Sequence, residues 1–196
     1  MYRRNLMAGL AACVVGAALA GCQQPGQNMQ GMQDMKPPPR APEMAHLDKW
    51  IGSWNGTSQM KMAGTDKTMT GTGRNTITSV CDGRYIMEQM DADMGEMGKM
   101  SMIGMYTWDP AKKKYRSWWF DSHGGSGEGW MTYNEQTRTW SLDASSRNPA
   151  MGMETVGEGT MKMPDDNTIE WTWSEYHKGL LGKEKMMDIT GTSTRG

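Results

Sequence analysis

The sequence predicts an all-β domain, an up-and-down antiparallel barrel of about ten strands with a short helix before it. Apolar and polar residues alternate along the expected strands: Trp140, Leu142 and Ala144 share one face, and Ser141 and Asp143 share the other. This period of two is typical of half-buried antiparallel strands. Closing such a sheet into a barrel removes its exposed edges, and an open sheet or a sandwich is the structural alternative.

Turn-forming residues separate the expected strands. Clusters such as Cys81-Asp82-Gly83 and Asn148-Pro149 favour chain reversal, because Gly, Pro, Asn and Asp adopt turn conformations readily. A helix is expected from Glu43 to Trp50, ended by Gly52. The expected strands lie near Trp54–Met62, Thr68–Val80, Tyr85–Asp93, Met100–Trp108, Lys114–Asp121, Gly127–Asn134, Thr139–Ser145, Glu154–Met163, Thr168–His177 and Lys183–Thr194.

The sequence also makes specific predictions for four glycines in the expected strands and for one cysteine. Gly71, Gly73, Gly157 and Gly159 are expected to permit the sharp bending that a barrel wall needs. Cys81, the one cysteine that follows residue 22, is expected to be a buried thiol rather than a reactive one.

The first 21 residues have the pattern of an export signal. Arg3 and Arg4 precede Leu6 to Ala20, an uncharged run of 15 residues that is shorter than the roughly 20 needed to span a bilayer. Leu19-Ala20-Gly21-Cys22 then resembles the lipobox of bacterial lipoproteins. That resemblance implies acylation of Cys22 and cleavage before it, and the alternative is an ordinary secretory signal.

Residues 22–42 are expected to be a lipidated, disordered tether, because they are polar and rich in proline. Residues 43–196 would then form the barrel domain. Gln23 is not the Asp linked to inner-membrane retention in enteric bacteria, so the lipoprotein resemblance favours the outer membrane. The domain is expected to face the periplasm, and exposure at the cell surface is the alternative. Loss of Arg3 and Arg4 changes the net charge from −1 to about −3, which gives no reason to expect a nucleic-acid partner.

Several motifs of the expected barrel resemble the domain of unknown function 1579 family. They are Gly52-Ser53-Trp54-Asn55-Gly56, Cys81-Asp82-Gly83-Arg84-Tyr85-Ile86-Met87-Glu88, Gly104-Met105-Tyr106-Thr107-Trp108-Asp109 and Trp118-Trp119-Phe120-Asp121. The resemblance covers roughly residues 45–194 and implies a calycin-like barrel. Gly52-Ser53-Trp54 is also similar to the lipocalin signature on the first strand. The family carries no established general activity, so the resemblance implies a fold and no chemistry.

Tryptophan is frequent, with nine residues, and several indoles could line a pocket for an apolar ligand. Trp118 and Trp119 are expected to face opposite ways, because neighbours on a strand do so. The alternative is a barrel filled by its own indoles. The candidate ligand-binding residues are Trp54, Trp108, Trp140, Trp171 and Trp173.

Methionine is the other anomaly, with 23 residues against a single Phe. Methionines two apart on a strand, such as Met60 and Met62, are expected in the core. A thioether is also a soft ligand suited to Cu(I) or Ag(I). Two methionine clusters lie outside expected core positions. The first is in the tether: Met29, Met32 and Met35. The second, in a glycine-rich hairpin, is the candidate metal site: Met94, Met97, Met100 and Met102.

No pattern indicates an enzyme. His46, His123 and His177 lack zinc-site spacing, and neither a nucleophile elbow nor a phosphate loop is present. No cofactor is therefore expected. The leading hypothesis is a membrane-anchored barrel that binds a small apolar molecule without catalysis. The alternatives are soft-metal binding through the methionine-rich loops and a purely structural envelope protein.

Overall fold

A computed structural model describes residues 37–149, 152–179 and 182–196. The barrel prediction is confirmed, because ten antiparallel strands close into one sheet after a short helix. The helix α1 spans Met44–Asp48. The strands are β1 Gly52–Met62, β2 Thr68–Val80, β3 Tyr85–Asp93, β4 Lys99–Asp109, β5 Lys114–Asp121, β6 Ser126–Asn134, β7 Thr139–Asn148, β8 Met153–Lys162, β9 Thr168–Gly179 and β10 Gly182–Arg195.

The chain order of the strands is also their order around the barrel, and β1 closes the sheet by pairing with β10. Arg195 strengthens this seam. Its guanidinium donates hydrogen bonds to the carbonyls of Ile51 (2.6 Å) and Lys49 (3.1 Å) and lies 4.3 Å from the ring centre of Trp54. The last strand is thereby joined both to the first strand and to the segment that follows α1.

The end of the barrel next to α1 is filled by side chains, and we call it the closed end. Trp54 and Trp140 are each 1% exposed, and the Trp54 indole donates a 2.7 Å hydrogen bond to the carbonyl of Trp50. Trp140 contacts the rings of Trp50, Tyr115 and Tyr133 at centroid distances of 4.6–4.9 Å. The closed end therefore contains a continuous aromatic cluster.

The segment before α1 also contacts the barrel. Arg40 donates a 2.6 Å hydrogen bond to the carbonyl of Gly83, and its guanidinium forms an ion pair with Asp48 at 2.5 Å. Arg40 lies within residues 22–42, the segment expected to be the tether. The last residues of that segment therefore contact the domain. Cys22 and the methionines at 29, 32 and 35 lie outside the described residues. Across the three described ranges, no helix is long and apolar enough to cross a membrane.

The expectation of a buried thiol at Cys81 is wrong. Cys81 is exposed in the turn between β2 and β3, with φ of 52°. Asp82 and Gly83 also have positive φ, and this left-handed turn directs the Cys81 side chain away from the barrel. The turn requirement thus outweighs the usual preference of cysteine for burial.

Trp140→Ala tests the importance of the aromatic cluster. We expect the free energy of unfolding to fall by about 3–5 kcal/mol, because the substitution leaves a cavity among three rings. Urea denaturation followed by circular dichroism measures the change. Trp118→Ala, on the outer face of β5, is the control and should cost less; an equal or smaller loss for Trp140→Ala would contradict the account.

Candidate functional site

The half of the barrel away from α1 has an accessible lumen, and we call it the open end. Strands β5 and β9 run toward it, and their lumen-facing Trp119, Trp173, Glu175 and His177 are all partly exposed. Residues nearer to α1 on the same strands, such as Tyr115 and Ile169, are buried. The barrel is therefore filled at one end and accessible at the other.

Glycines on neighbouring strands let two indole rings lie flat against the lumen wall. Trp119 on β5 lies directly across from Gly127 on β6, and a Cβ added to Gly127 would be 2.1 Å from the Trp119 ring. Likewise, a Cβ at Gly157 on β8 would be 2.0 Å from the ring of Trp173 on β9. Because any side chain at these glycines would push the rings inward, the glycines help to keep the lumen open.

These contacts give Gly157 and Gly159 a role beyond the expected one. Both were expected to permit bending of the strand. In the structure both lie beneath the Trp173 ring, and a Cβ at Gly159 would be 2.9 Å from it. Gly73 differs, because a Cβ there would make only ordinary contacts, of 3.4 Å or more.

A polar group lies between the closed end and the open lumen. The Tyr106 hydroxyl donates a 2.5 Å hydrogen bond to Glu88 Oε2, and Asn75 Nδ2 donates a 2.6 Å bond to Oε1. Burial raises the pKa of the Glu88 carboxyl, because a low-dielectric setting disfavours its charged form, and the two hydrogen bonds oppose part of that rise. Burial and the neighbouring Glu88 raise the pKa of Tyr106 well above its ordinary value.

A second polar group lies on β7, β8 and β9. The Thr155 hydroxyl donates to Glu175 Oε1 at 2.6 Å and also lies 2.6 Å from the Ser146 hydroxyl. Glu88 and Glu175 thus place two carboxyl groups on separate parts of the lumen, and Asp121, at the end of the lumen face of β5, adds a third near the entrance. The described residues contain no group of three or more His, Cys, Asp or Glu arranged to hold a metal ion.

The five tryptophans expected to bind a ligand do not share one environment. Trp54 and Trp140 are buried in the closed end, and Trp108 packs against Tyr115 in the same cluster at a centroid distance of 4.8 Å. Trp171 and Trp173 lie farther along β9 and are partly exposed. The open lumen thus contains Trp173 but not the three indoles of the closed end.

The four methionines of the candidate metal site are also divided. Met100 and Met102 lie on the lumen face of β4, where Met102 is directly across from Met90. Met97 is 51% exposed in the turn before β4, and Met94 immediately precedes that turn. The hairpin therefore does not bring all four thioethers to one face.

Sequence reasoning missed Trp119, Glu88 and Glu175 as lumen residues, although a signal was present for the two acids. Glu88 falls on the same period-two face as Ile86, and Glu175 falls on the same face as Trp173. A carboxyl group on the apolar face of a strand is costly unless it is hydrogen-bonded. Such a position therefore indicates a polar site inside the barrel.

The outer surface has two depressions, of about 780 and 610 Å³. They cross β1 to β5 and are lined mainly by outward-facing side chains such as Arg74, Asp91 and Ser101. Beside the smaller one, Ile103 and Phe120 form an exposed cross-strand pair, 47% and 59% exposed. Trp118 is also on the outer face, 4.5 Å from the guanidinium of Arg116, so it faces away from Trp119 as expected.

A family model described as "Protein of unknown function (DUF1579)" matches residues 40–193. The chain belongs to this family. No curated protein matches it in a sequence comparison. The family assignment thus confirms the resemblance carried by the sequence motifs, and the closed barrel is the form in which this DUF1579 chain presents them.

Solved structures share the fold of this DUF1579 barrel. The crystal structure of Rv2717c from M. tuberculosis matches with a TM-score of 0.61 and 13% identity, covering 81% of this chain and 99% of that one. The S-type phycobiliprotein lyase CPES from Guillardia theta matches with a TM-score of 0.54 and 12% identity, covering 80% and 94%. At such low identities the likeness shows the calycin-like fold alone.

The raised pKa of Glu88 predicts a pH-dependent stability of the DUF1579 domain. Between the ordinary value of 4.5 and the raised value, the folded state binds more protons than the unfolded state. Wild type should therefore lose stability relative to Glu88→Gln as the pH rises through this window, by at most about 1.4 kcal/mol per pH unit.

Urea denaturation of both proteins over about pH 4 to 8 measures this difference. Glu154→Gln is the matched control, because Glu154 is exposed on the outer face of β8. A relative stability of wild type that stays level or increases with pH would contradict the burial of Glu88.

Proposed function

We propose that this barrel binds a small apolar or amphipathic molecule in the lumen at its open end, without catalysing a reaction. The flat packing of Trp119 and Trp173 against glycines carries the proposal. Ligand pockets are concave and mostly apolar, with a few placed polar groups. The open end combines both kinds of group, because indole faces and methionines line it together with hydrogen-bonded carboxyl groups and other polar side chains.

The polar groups suit orientation of a ligand. Glu88 and Tyr106 lie at the inner limit of the lumen, where they can receive the polar end of a molecule whose apolar part contacts the indoles. Methionine side chains near the entrance adapt to irregular apolar shapes because they are flexible and polarisable. A ligand with one polar end and one apolar end fits this arrangement.

We favour binding over catalysis because the carboxyl groups of Glu88 and Glu175 in the lumen are already hydrogen-bonded to neighbouring side chains. Glu88 accepts from Tyr106 and Asn75, and Glu175 accepts from Thr155. Among the described residues, no hydrogen bond joins a histidine side chain to a hydroxyl or thiol, the pairing that activates many nucleophiles. The fold also occurs in a protein named as a phycobiliprotein lyase. We propose that this chain uses the fold for holding a molecule.

We further propose that the barrel is attached to the outer membrane through Cys22 and faces the periplasm. The support comes from the export signal and the lipobox-like Leu19-Ala20-Gly21-Cys22. Three acyl chains, as the lipoprotein resemblance implies, exceed the two signals needed for stable anchoring. The proline-rich stretch before Arg40 would separate the barrel from the bilayer.

Gly157→Val tests the lumen directly. The added side chain overlaps the Trp173 ring and should push it into the lumen, so affinity for the neutral fluorophore N-phenyl-1-naphthylamine should fall by more than about tenfold, equivalent to about 1.4 kcal/mol. A fluorescence titration of the purified full chain measures the affinity. Gly127→Val should act in the same way through Trp119.

Gly73→Ala is the matched control, because its Cβ has room, and its affinity should equal that of wild type. Circular dichroism must show each variant folded. Equal affinity of wild type and both folded valine variants would refute lumen binding, as would the absence of saturable binding to wild type. In that case the purely structural interpretation would be favoured.

Cys22→Ser tests the anchor. The Ser variant should accumulate as an unprocessed, unacylated precursor, because the lipoprotein resemblance requires the Cys thiol for acylation before cleavage. Intact mass and palmitate labelling of membrane fractions measure both steps. Processing of the Ser variant with unchanged membrane fractionation would show that Cys22 is not the attachment point.

A further inference from the structure

A second site is indicated by methionines that meet near the entrance of the lumen. Met60 and Met62 share the lumen face of β1, because side chains two apart on a strand point the same way. Met69 on β2 lies directly across from Met60, and Met187 on β10 lies directly across from Met62. These four residues, on three adjacent strands, are the methionine cluster.

The methionine cluster is packed less tightly than the core. Met60 is 5% exposed, but Met62, Met69 and Met187 are partly exposed on the lumen face. By contrast, three methionines of the closed end, Met44, Met131 and Met163, have exposures of 3% or less. Three of the four methionines are thus partly exposed at the open end.

The spacing of the methionine cluster allows its sulfur atoms to converge. Directly opposed residues on antiparallel strands have Cβ atoms about 4.5–5.5 Å apart. The methionine side chain has three rotatable bonds, so paired thioethers can turn toward a common point. Thioether sulfur is a soft donor that favours Cu(I) and similar ions over hard divalent cations.

The electrostatic setting is also suited to a cation. The lumen faces of β1 and β2 carry no Lys or Arg; apart from methionine they hold apolar, small or neutral polar residues. Glu175 on β9 lies directly across from Met187. A nearby carboxylate attracts a monovalent cation without itself needing to be a ligand.

We propose that Met60, Met62, Met69 and Met187 bind one soft monovalent cation, Cu(I) or Ag(I), through their thioether sulfurs. The site is separate from the hairpin cluster suggested by sequence spacing, since neither Met94 nor Met97 belongs to it. It does not depend on the binding of an apolar molecule deeper in the lumen.

The test is a titration of the purified full chain with Cu(I) under anaerobic, reducing conditions against a competing Cu(I) chelator. Ag(I) serves as an air-stable second probe. The variant with Leu at all four cluster positions keeps the apolar bulk and removes the sulfur. Its affinity should fall by more than about tenfold. The control with Leu at Met44, Met131 and Met163 should retain wild-type affinity.

If the fourfold variant does not fold, the paired variants Met60→Leu with Met69→Leu and Met62→Leu with Met187→Leu replace it, and each should lose affinity. Unchanged affinity in the folded cluster variants would overturn the proposal. So would loss of affinity only when Met94, Met97, Met100 and Met102 become Leu. The Cu(I) titration contains no naphthylamine and the naphthylamine titration contains no metal, so failure of this site is distinguishable from failure of lumen binding.

Discussion

The arrangement of the open lumen depends on contacts between indole rings and glycine backbones on adjacent strands. Trp119 lies over Gly127, and Trp173 lies over Gly157 and Gly159. A ring that lies along the wall buries one face against the backbone and leaves the other toward the lumen. The glycines thus allow large aromatic side chains to line a ten-stranded barrel without filling it at this level.

The closed end of the barrel stabilises the fold, and the open end is the part that we propose binds a ligand. At the closed end, the cluster around Trp140 and the bonds of Arg195 hold α1, β1 and β10 together. Tyr106 connects the two regions, because its ring packs edge-on against Trp50 at 5.2 Å and its hydroxyl bonds Glu88. The rigid closed end can therefore fix the position of a carboxyl group that faces the lumen.

The sequence predicted the barrel closely because its alternation of apolar and polar residues is regular and its turns are marked by Gly, Pro, Asp and Asn. It predicted the site less well. Period two shows that Trp140 and Trp173 both face inward, but it does not show that one is buried among rings and the other lies against glycine. That distinction depends on which residues oppose each other across strands. The turn at Cys81 was predicted, but the exposure of its thiol was not, because composition does not reveal positive φ.

The central claim is that a small molecule enters the open end and contacts the indoles there. The most direct test is the anomalous scattering of bromine in crystals of the protein grown with a neutral amphiphile brominated in its apolar tail. We predict a bromine peak inside the barrel between Trp119 and Trp173. A peak only on the outer face beside Ile103 and Phe120, or no peak at a saturating concentration, would contradict the account.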